Sequence, residues 1–113
     1  MKYIPSSSAQ TFENSPMCTV HEYGGNDEIN GAVAEIDGRY PEMGWAVNTE
    51  VSEMIFVLEG SGELVTNERR VTLAKAAMAV VETGEAYYFE GKSLRIFIAC
   101  TPPWTPEQYK VME

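Results

Sequence analysis

Residues Asn48 to Leu64 read NTEVSEMIFVLEGSGEL, and this stretch decides the fold class of the chain. Met54 to Leu58 form a continuous apolar run, which is followed by Glu59-Gly60-Ser61-Gly62, a sequence typical of a turn. A short apolar run with such flanks predicts a strand that is buried on both faces or lies inside a barrel. It is the strongest strand signal in the chain, and one acidic residue, Glu53, stands at its start.

Short strands separated by turn residues extend in both directions from this stretch. Turns are predicted at Asp37-Gly38 and at Asn67-Glu68-Arg69, and the second of these joins the two strands of a hairpin. Helical signals are confined to the short run 73–78 and to one turn within 105–111. About nine or ten strands with no long helix predict an all-β sandwich or barrel. The predicted strands are 17–23, 31–36, 45–48, 54–58, 63–66, 70–73, 78–82, 86–89 and 94–100.

Length and composition indicate one folded domain. The chain has 113 residues, of which 44% are hydrophobic and 22% are charged, as in ordinary globular proteins. A chain of this length can bury one sizeable core but not two, so we predict a single domain over residues 1–113. Within it, residues 1–15 are expected to form an N-terminal extension, and residues 101–113 a C-terminal tail that is rich in proline and contains Trp104.

The charge balance argues against nucleic acid and anionic membranes as partners. Eight Lys and Arg residues stand against seventeen Asp and Glu, and the net charge of −9 repels phosphate groups. No segment approaches the length of a membrane span or the apolar core of a signal peptide, so we expect a cytoplasmic protein. Cys18 and Cys100 are expected to be reduced thiols, and a bridge between them stays open as the alternative.

Two segments resemble the conserved motifs of the cupin superfamily. EMIFVLEGSGEL is similar to the first motif, in which a metal-binding Glu precedes a Gly by seven positions, as Glu53 precedes Gly60 here. LAKAAMAVVETGEAYYFEG, Leu73 to Gly91, is similar to the second motif, with Ala76-Ala77 in place of Gly-Asp and Tyr87 in place of a metal-binding His. The resemblance implies a cupin-type jelly-roll β-barrel with a pocket in its interior.

The resemblance also implies a homodimer, because small cupin-like barrels commonly pair through their sheets. Trp104 has a large apolar area that is expected to be packed. We expect it at the dimer interface, and a lid over the mouth of the pocket is the alternative.

The imidazoles of the first cupin motif are absent. The positions that would hold its His-x-His pair are Ala46 and Asn48, or Val47 and Thr49, and the single histidine of the chain, His21, lies outside both motifs. Transition metals prefer imidazole or thiolate ligands, so we predict no metal and no cofactor. A site built from His21, Glu53 and a cysteine stays open as an arrangement that the family does not show.

The remaining polar positions predict a binding pocket. Because side chains alternate along a strand, Glu53, Ile55 and Val57 are expected to face inward together. Tyr87 faces inward by the same reasoning, so a carboxylate, an amide and a phenol converge in an apolar pocket. The candidate ligand-binding residues are Asn48, Glu53 and Tyr87, with Trp45 or Phe97 near them.

We therefore predict a metal-free protein that binds a small polar molecule, such as a sugar or an amine-bearing compound, inside the barrel. In a purely structural alternative, Glu53 accepts hydrogen bonds from the barrel wall, and Tyr87 fills the space that a metal would occupy. In a catalytic alternative, the chain is an isomerase or epimerase in which Glu53 is the base and Tyr87 the acid. A metal-dependent cupin enzyme is the least favoured alternative, and whether the chain is an enzyme stays open.

Overall fold

The computed structural model describes residues 1–113 and shows one domain built from nine strands. The predicted all-β class and the single domain are confirmed, but the strands at residues 10–15 and 109–112 were not predicted. The only helical segments are two single 3₁₀ turns, Ser6–Ser8 and Pro106–Gln108. The strands are β1 (Gln10–Ser15), β2 (Cys18–Gly25), β3 (Asn30–Tyr40), β4 (Trp45–Asn48), β5 (Ser52–Thr66), β6 (Arg70–Leu73), β7 (Met78–Val81), β8 (Ala86–Thr101) and β9 (Tyr109–Met112).

All nine strands belong to one antiparallel sheet that is organised around β8. One side of the sheet runs in the order β1-β2-β3-β8-β4-β9, and β5 pairs with β8 and also with the shorter strands β6 and β7. The inner face of the sheet holds a single apolar core. Its largest fully buried side chains include Ile55, Leu73, Leu94 and Ile96. The structure contains no helix with the length and apolarity that a membrane crossing requires.

Where glycines led to the prediction of turns, the structure has a bend in the sheet instead. Gly38 pairs with Gly91, and Gly91 pairs with Gly62, so three glycines lie side by side on β3, β8 and β5. The strand register shifts at this level in both pairings, which marks β-bulges. Bulges bend a strand without ending it. For this reason the predicted turns at Asp37-Gly38 and Glu59–Gly62 were wrong. The strands predicted at 54–58 and 63–66 are one strand, β5, and those predicted at 86–89 and 94–100 are one strand, β8.

The chain ends also join the sheet. Within the segment predicted as an N-terminal extension, β1 pairs with β2 from Gln10 to Ser15. The predicted C-terminal turn is confirmed at Pro106–Gln108, and β9 then pairs with β4. The run 73–78 is not helical: the Ala77 N–H donates to the Ala74 carbonyl in a tight turn between β6 and β7.

Candidate functional site

The inner face of the sheet surrounds a cavity of about 890 Å³. This volume lies within the range of small-molecule sites, which is roughly 300 to 1,000 Å³. Strands β1, β2, β3, β5 and β8 and the segment after β8 form its walls. Apolar side chains supply much of the lining, and the polar lining residues include Asn14, Glu22, Asn30, Tyr40, Glu53, Tyr87 and Tyr109.

Glu53 is a buried carboxylate in the wall of this cavity. Its side chain faces inward on β5 together with Ile55 and Val57, as the alternation predicted, and only 6% of the residue is exposed. One oxygen, Oε1, accepts a hydrogen bond from the Tyr87 hydroxyl at 3.2 Å. The other, Oε2, accepts one from the Cys100 thiol at 3.5 Å. Both protein partners of the carboxylate are therefore neutral donors.

A chain of hydrogen bonds fixes the direction of these contacts. The Val51 N–H donates to Gln108 Oε1 at 3.3 Å, so the amide nitrogen of Gln108 points the other way and donates to Asn48 Oδ1 at 2.8 Å. The Asn48 amide nitrogen in turn donates to the Tyr87 hydroxyl oxygen at 3.3 Å. Because that oxygen already accepts a hydrogen bond, its own proton is directed to Glu53.

Burial sets the protonation behaviour of the site. Desolvation raises the pKa of Glu53, while polar contacts with Cys100, Tyr87 and Asn48 act in the opposite direction. Burial, followed by the negative charge of Glu53, raises the pKa of Tyr87 well above its usual value. The same two causes raise the pKa of the Cys100 thiol. Tyr87 and Cys100 therefore remain protonated donors near neutral pH, and Glu53 is the group whose charge can change.

The structure brings together three of the five predicted binding residues, Asn48, Glu53 and Tyr87. Trp45 is placed elsewhere. It precedes the inward-facing Ala46 on β4, so its side chain lies on the opposite face of the strand. There its ring packs edge-on against Tyr88, with the ring centroids 5.1 Å apart. Trp45 is therefore not part of the cavity wall.

Phe97 also lies outside the cavity and is 41% exposed on the outer face of the sheet. The bulge between Gly91 and Leu94 in β8 is the physical reason. Before the bulge the odd-numbered side chains, such as Tyr87, face inward, whereas after it the even-numbered ones, such as Ile96, do so. The predicted placement of Phe97 near the pocket was wrong because the sequence does not reveal this shift.

Several residues of the site have no recognisable signal in the sequence. Cys100 is the last buried inward position of β8, and only knowledge of the bulge would have assigned it to the inside. Gln108 and Trp104 come from the segment predicted as a tail, where no periodic pattern indicates burial. Trp104 lines the cavity, near the position given as the alternative to a dimer interface.

The residues present do not fit the metal that a cupin-type fold implies. His21 lies on the outer face of β2, where Nε2 is 2.7 Å from Glu35 Oε1 and Nδ1 is 3.0 Å from Thr11 Oγ1. It cannot join Glu53 inside the barrel. No group of three His, Cys, Asp or Glu side chains is close enough together to hold a metal ion. Cys18 and Cys100 are both buried free thiols that line the cavity, and burial raises the pKa of Cys18 to about 12.

Comparison with known proteins reveals similarity of fold at low sequence identity. No protein-family profile matches the chain, and no curated protein matches it in sequence. A variant of the Streptomyces nucleoside dehydratase Pac13 with bound uridine has a TM-score of 0.86 at 15% identity, over 100% of this chain and 92% of the other. The polyketide cyclase RemF from Streptomyces resistomycificus has a TM-score of 0.76 at 16% identity, over 100% and 86% of the two chains.

An RmlC-like cupin protein from Desulfovibrio desulfuricans is also similar, with a TM-score of 0.65 at 16% identity over 78% of this chain and 85% of the other. At such identities the likeness establishes the fold alone. The chain has a cupin-type jelly-roll fold, as the two sequence motifs predicted.

Proposed function

We propose that the chain binds a small hydroxylated molecule, such as a sugar or a nucleoside, in the cavity beside Glu53. The observation that carries this proposal is the unfilled hydrogen-bonding capacity of the buried Glu53 carboxylate. An ionised carboxylate has about four acceptor positions; the protein donates one hydrogen bond to each oxygen, and the Asn48 amide is the one further polar group in contact with it. Glu53 itself lines the cavity, so donors of a ligand can reach the side chain there. Hydroxyl or amine groups of a ligand are the donors that suit the carboxylate.

The size and the charge of the cavity narrow the class of ligand. A volume of about 890 Å³ accommodates a monosaccharide or a nucleoside, and the structurally similar Pac13 variant holds uridine. The lining carries the carboxylates of Glu22, Asp27 and Glu53 against the single ammonium group of Lys2. An excess of negative charge repels phosphate groups. Neutral or cationic molecules are therefore favoured over phosphorylated ones.

Calorimetry with a panel of ligands tests this function. We expect neutral sugars or nucleosides to bind, and nucleoside monophosphates to bind more weakly than the matching nucleosides. In the Glu53→Gln variant, affinity should fall by roughly 10- to 100-fold, because a hydrogen bond to a charged acceptor contributes about 1.5 to 3 kcal/mol.

The matched control is Glu59→Gln, on the same strand but with its side chain 63% exposed. It should bind as the unmodified protein does. Failure of the unmodified protein to bind any member of the panel would contradict the proposal, as would equal affinity for Glu53→Gln.

A second candidate function is proton transfer between Glu53 and Tyr87. The observation in its favour is that the Tyr87 proton is directed at Glu53 Oε1 over 3.2 Å, within the reach that general acid–base catalysis needs. Glu53 would take a proton from a carbon next to a carbonyl group, and Tyr87 would return one to that carbon. Glu53 would then pass its proton to the Tyr87 oxygen, which restores both groups.

Incubation of the bound ligand in D₂O, followed by NMR, tests the second candidate. Deuterium should enter at one carbon of the ligand, and Tyr87→Phe should slow this exchange while the ligand still binds. Retention of every carbon-bound proton in the presence of the unmodified protein would eliminate proton transfer and leave the binding function in place.

The outer face of the sheet supports a homodimer as the assembly. Eight nonpolar residues lie on this face in two rows that cross four strands. Four of them, Met54, Met78, Val80 and Phe97, are exposed. Such a surface is typical of a contact with another protein. The rows are Met78, Phe56, Phe97 and Val33, and beside them Val80, Met54, Ala99 and Gly31.

A second copy of this chain is the occupant that the charges favour. The chain carries a net charge of −9, but these two rows carry none, so two copies can approach here with little repulsion. Beside the rows, Arg95 of β8 lies opposite Glu35 of β3 on one side and opposite Glu59 of β5 on the other. Both signs of charge at the rim allow ion pairs across a twofold axis, where a patch meets its own copy.

Sedimentation equilibrium tests the dimer. We expect the unmodified protein to be dimeric and Phe97→Glu to be monomeric, because the substitution buries a like charge against its symmetry mate. The control is Val111→Glu, which changes an exposed residue of β9 outside this face and should leave the dimer intact. A monomeric unmodified protein at about 100 μM, or a dimeric Phe97→Glu variant, would contradict the proposal.

A further inference from the structure

The segment after β8 is a fixed part of the cavity rather than a free tail. Pro103, Trp104, Pro106 and Tyr109 all line the cavity. Gln108, which is 1% exposed, anchors the segment to the barrel through its side-chain hydrogen bonds. The position of this wall is therefore set by buried contacts before any ligand enters.

Trp104 is held in this wall by two polar residues of the cavity. Its backbone N–H donates to Asn30 Oδ1 at 3.1 Å, and the Asn30 amide nitrogen donates to Glu22 Oε1 at 2.9 Å. The same Glu22 oxygen accepts a hydrogen bond from the Gly24 N–H at 3.1 Å. Because both ends of the Asn30 amide are engaged, the backbone at Trp104 has a defined position. The indole itself packs at a tilt against the Tyr109 ring, with the centroids 5.9 Å apart.

Aromatic surface in this cavity remains in contact with solvent. Phe12 of β1 lines the cavity and is nevertheless 48% exposed. Trp104 lines it too and is only partly buried. Leaving apolar area of this kind in water costs about 25 cal/mol per Å², so a planar group that covers it gains free energy. Glu53 and these aromatic side chains line the same cavity.

We propose that Trp104 is the stacking surface for a flat unsaturated ring of the ligand, which narrows the ligand to a compound that joins such a ring to a hydroxylated part. Nucleosides have this chemistry and free sugars do not. The inference rests on the proposed function, because the hydroxylated part is the one that Glu53 binds. The stacking role of Trp104 requires the ligand to contain a flat ring, which binding at Glu53 alone does not require.

Tryptophan fluorescence gives a direct readout of this contact. The chain has two tryptophans, and Trp45 packs against Tyr88 outside the cavity wall. In the Trp45→Phe variant, all tryptophan emission comes from Trp104. We expect uridine or adenosine to change this emission, with a midpoint equal to the dissociation constant from calorimetry. Ribose should bind at least about tenfold more weakly than the nucleosides, because stacking on one base contributes about 1 to 3 kcal/mol.

Variants of Trp104 separate stacking from binding at Glu53. Trp104→Ala should weaken nucleoside binding by about tenfold or more and leave ribose binding unchanged, whereas Trp104→Phe should retain part of the affinity for nucleosides. Should Trp104→Ala fail to fold, Trp104→Phe and the emission of Trp45→Phe still decide the question.

The outcomes for the two proposals are distinguishable. If nucleosides bind in calorimetry and Glu53→Gln weakens them, but the Trp104 emission is unchanged and the Trp104 variants bind normally, the stacking role is overturned and the proposed function stands. Equal affinity for ribose and nucleosides also overturns it. If no sugar or nucleoside binds, the proposed function fails, and this inference fails with it.

Discussion

Replacing Gly60 with alanine is expected to destabilise the protein by about 4 kcal/mol, near the upper end of what single substitutions cost. Gly60 has a φ of 77°, a backbone conformation that costs other residues about 1 to 2 kcal/mol. The added Cβ would also run into the carbonyl groups of Lys92 and Ser93 on the neighbouring strand β8. These are backbone atoms within a paired strand, so β5 and β8 would have to separate at the bend of the sheet.

Gly84→Ala is the matched control for this prediction. Gly84 has a nearly identical φ of 84°, but no heavy atom lies within 4 Å of the position of an added Cβ. It should therefore show only the conformational cost, about 1 to 2 kcal/mol. Urea unfolding of both variants measures the difference, which isolates the collision with β8. Equal stability of the two variants would contradict the expected collision between a Cβ at position 60 and the backbone of β8.

Gln108→Ala is expected to cost about 3 kcal/mol of stability. The substitution leaves the N–H groups of Glu50 and Val51 without their acceptor and Asn48 Oδ1 without its donor, all at or near a buried position. A buried polar group that loses its partner costs about 1 to 3 kcal/mol. The Thr49 N–H and hydroxyl bind the Gln108 backbone carbonyl, so those two bonds are retained in the variant.

The control for Gln108→Ala is Glu107→Ala, which changes the exposed neighbour in the same single turn and should alter stability by less than about 0.5 kcal/mol. Urea unfolding again supplies the measurement. A loss below about 1 kcal/mol for Gln108→Ala would show that the amide is not the anchor of the C-terminal segment. Such a small loss would also mean that the hydrogen bonds that run from Gln108 through Asn48 and Tyr87 to Glu53 do not hold these side chains in fixed positions.

Local patterns in the sequence determined the class of the fold and the centre of the candidate site. The apolar run at 54–58 and its neighbours predicted strands that the structure contains, and two degenerate motifs predicted the cupin-type fold. Alternation along β5 correctly oriented Glu53, and the predicted convergence of Glu53 with Asn48 and Tyr87 is seen in their hydrogen bonds. These inferences succeeded because the period of two is a local property of a strand.

The tertiary structure alone decided where that alternation is interrupted and which distant residues complete the site. A glycine pair predicts a tight turn or a bulge equally well, and only pairing with the neighbouring strands shows that Gly38, Gly62 and Gly91 form one bend. That bend reversed the expected orientation of Phe97. Gln108 reaches Asn48 from 60 positions away, and such a contact leaves no periodic trace in the sequence because it depends on how the whole sheet curls.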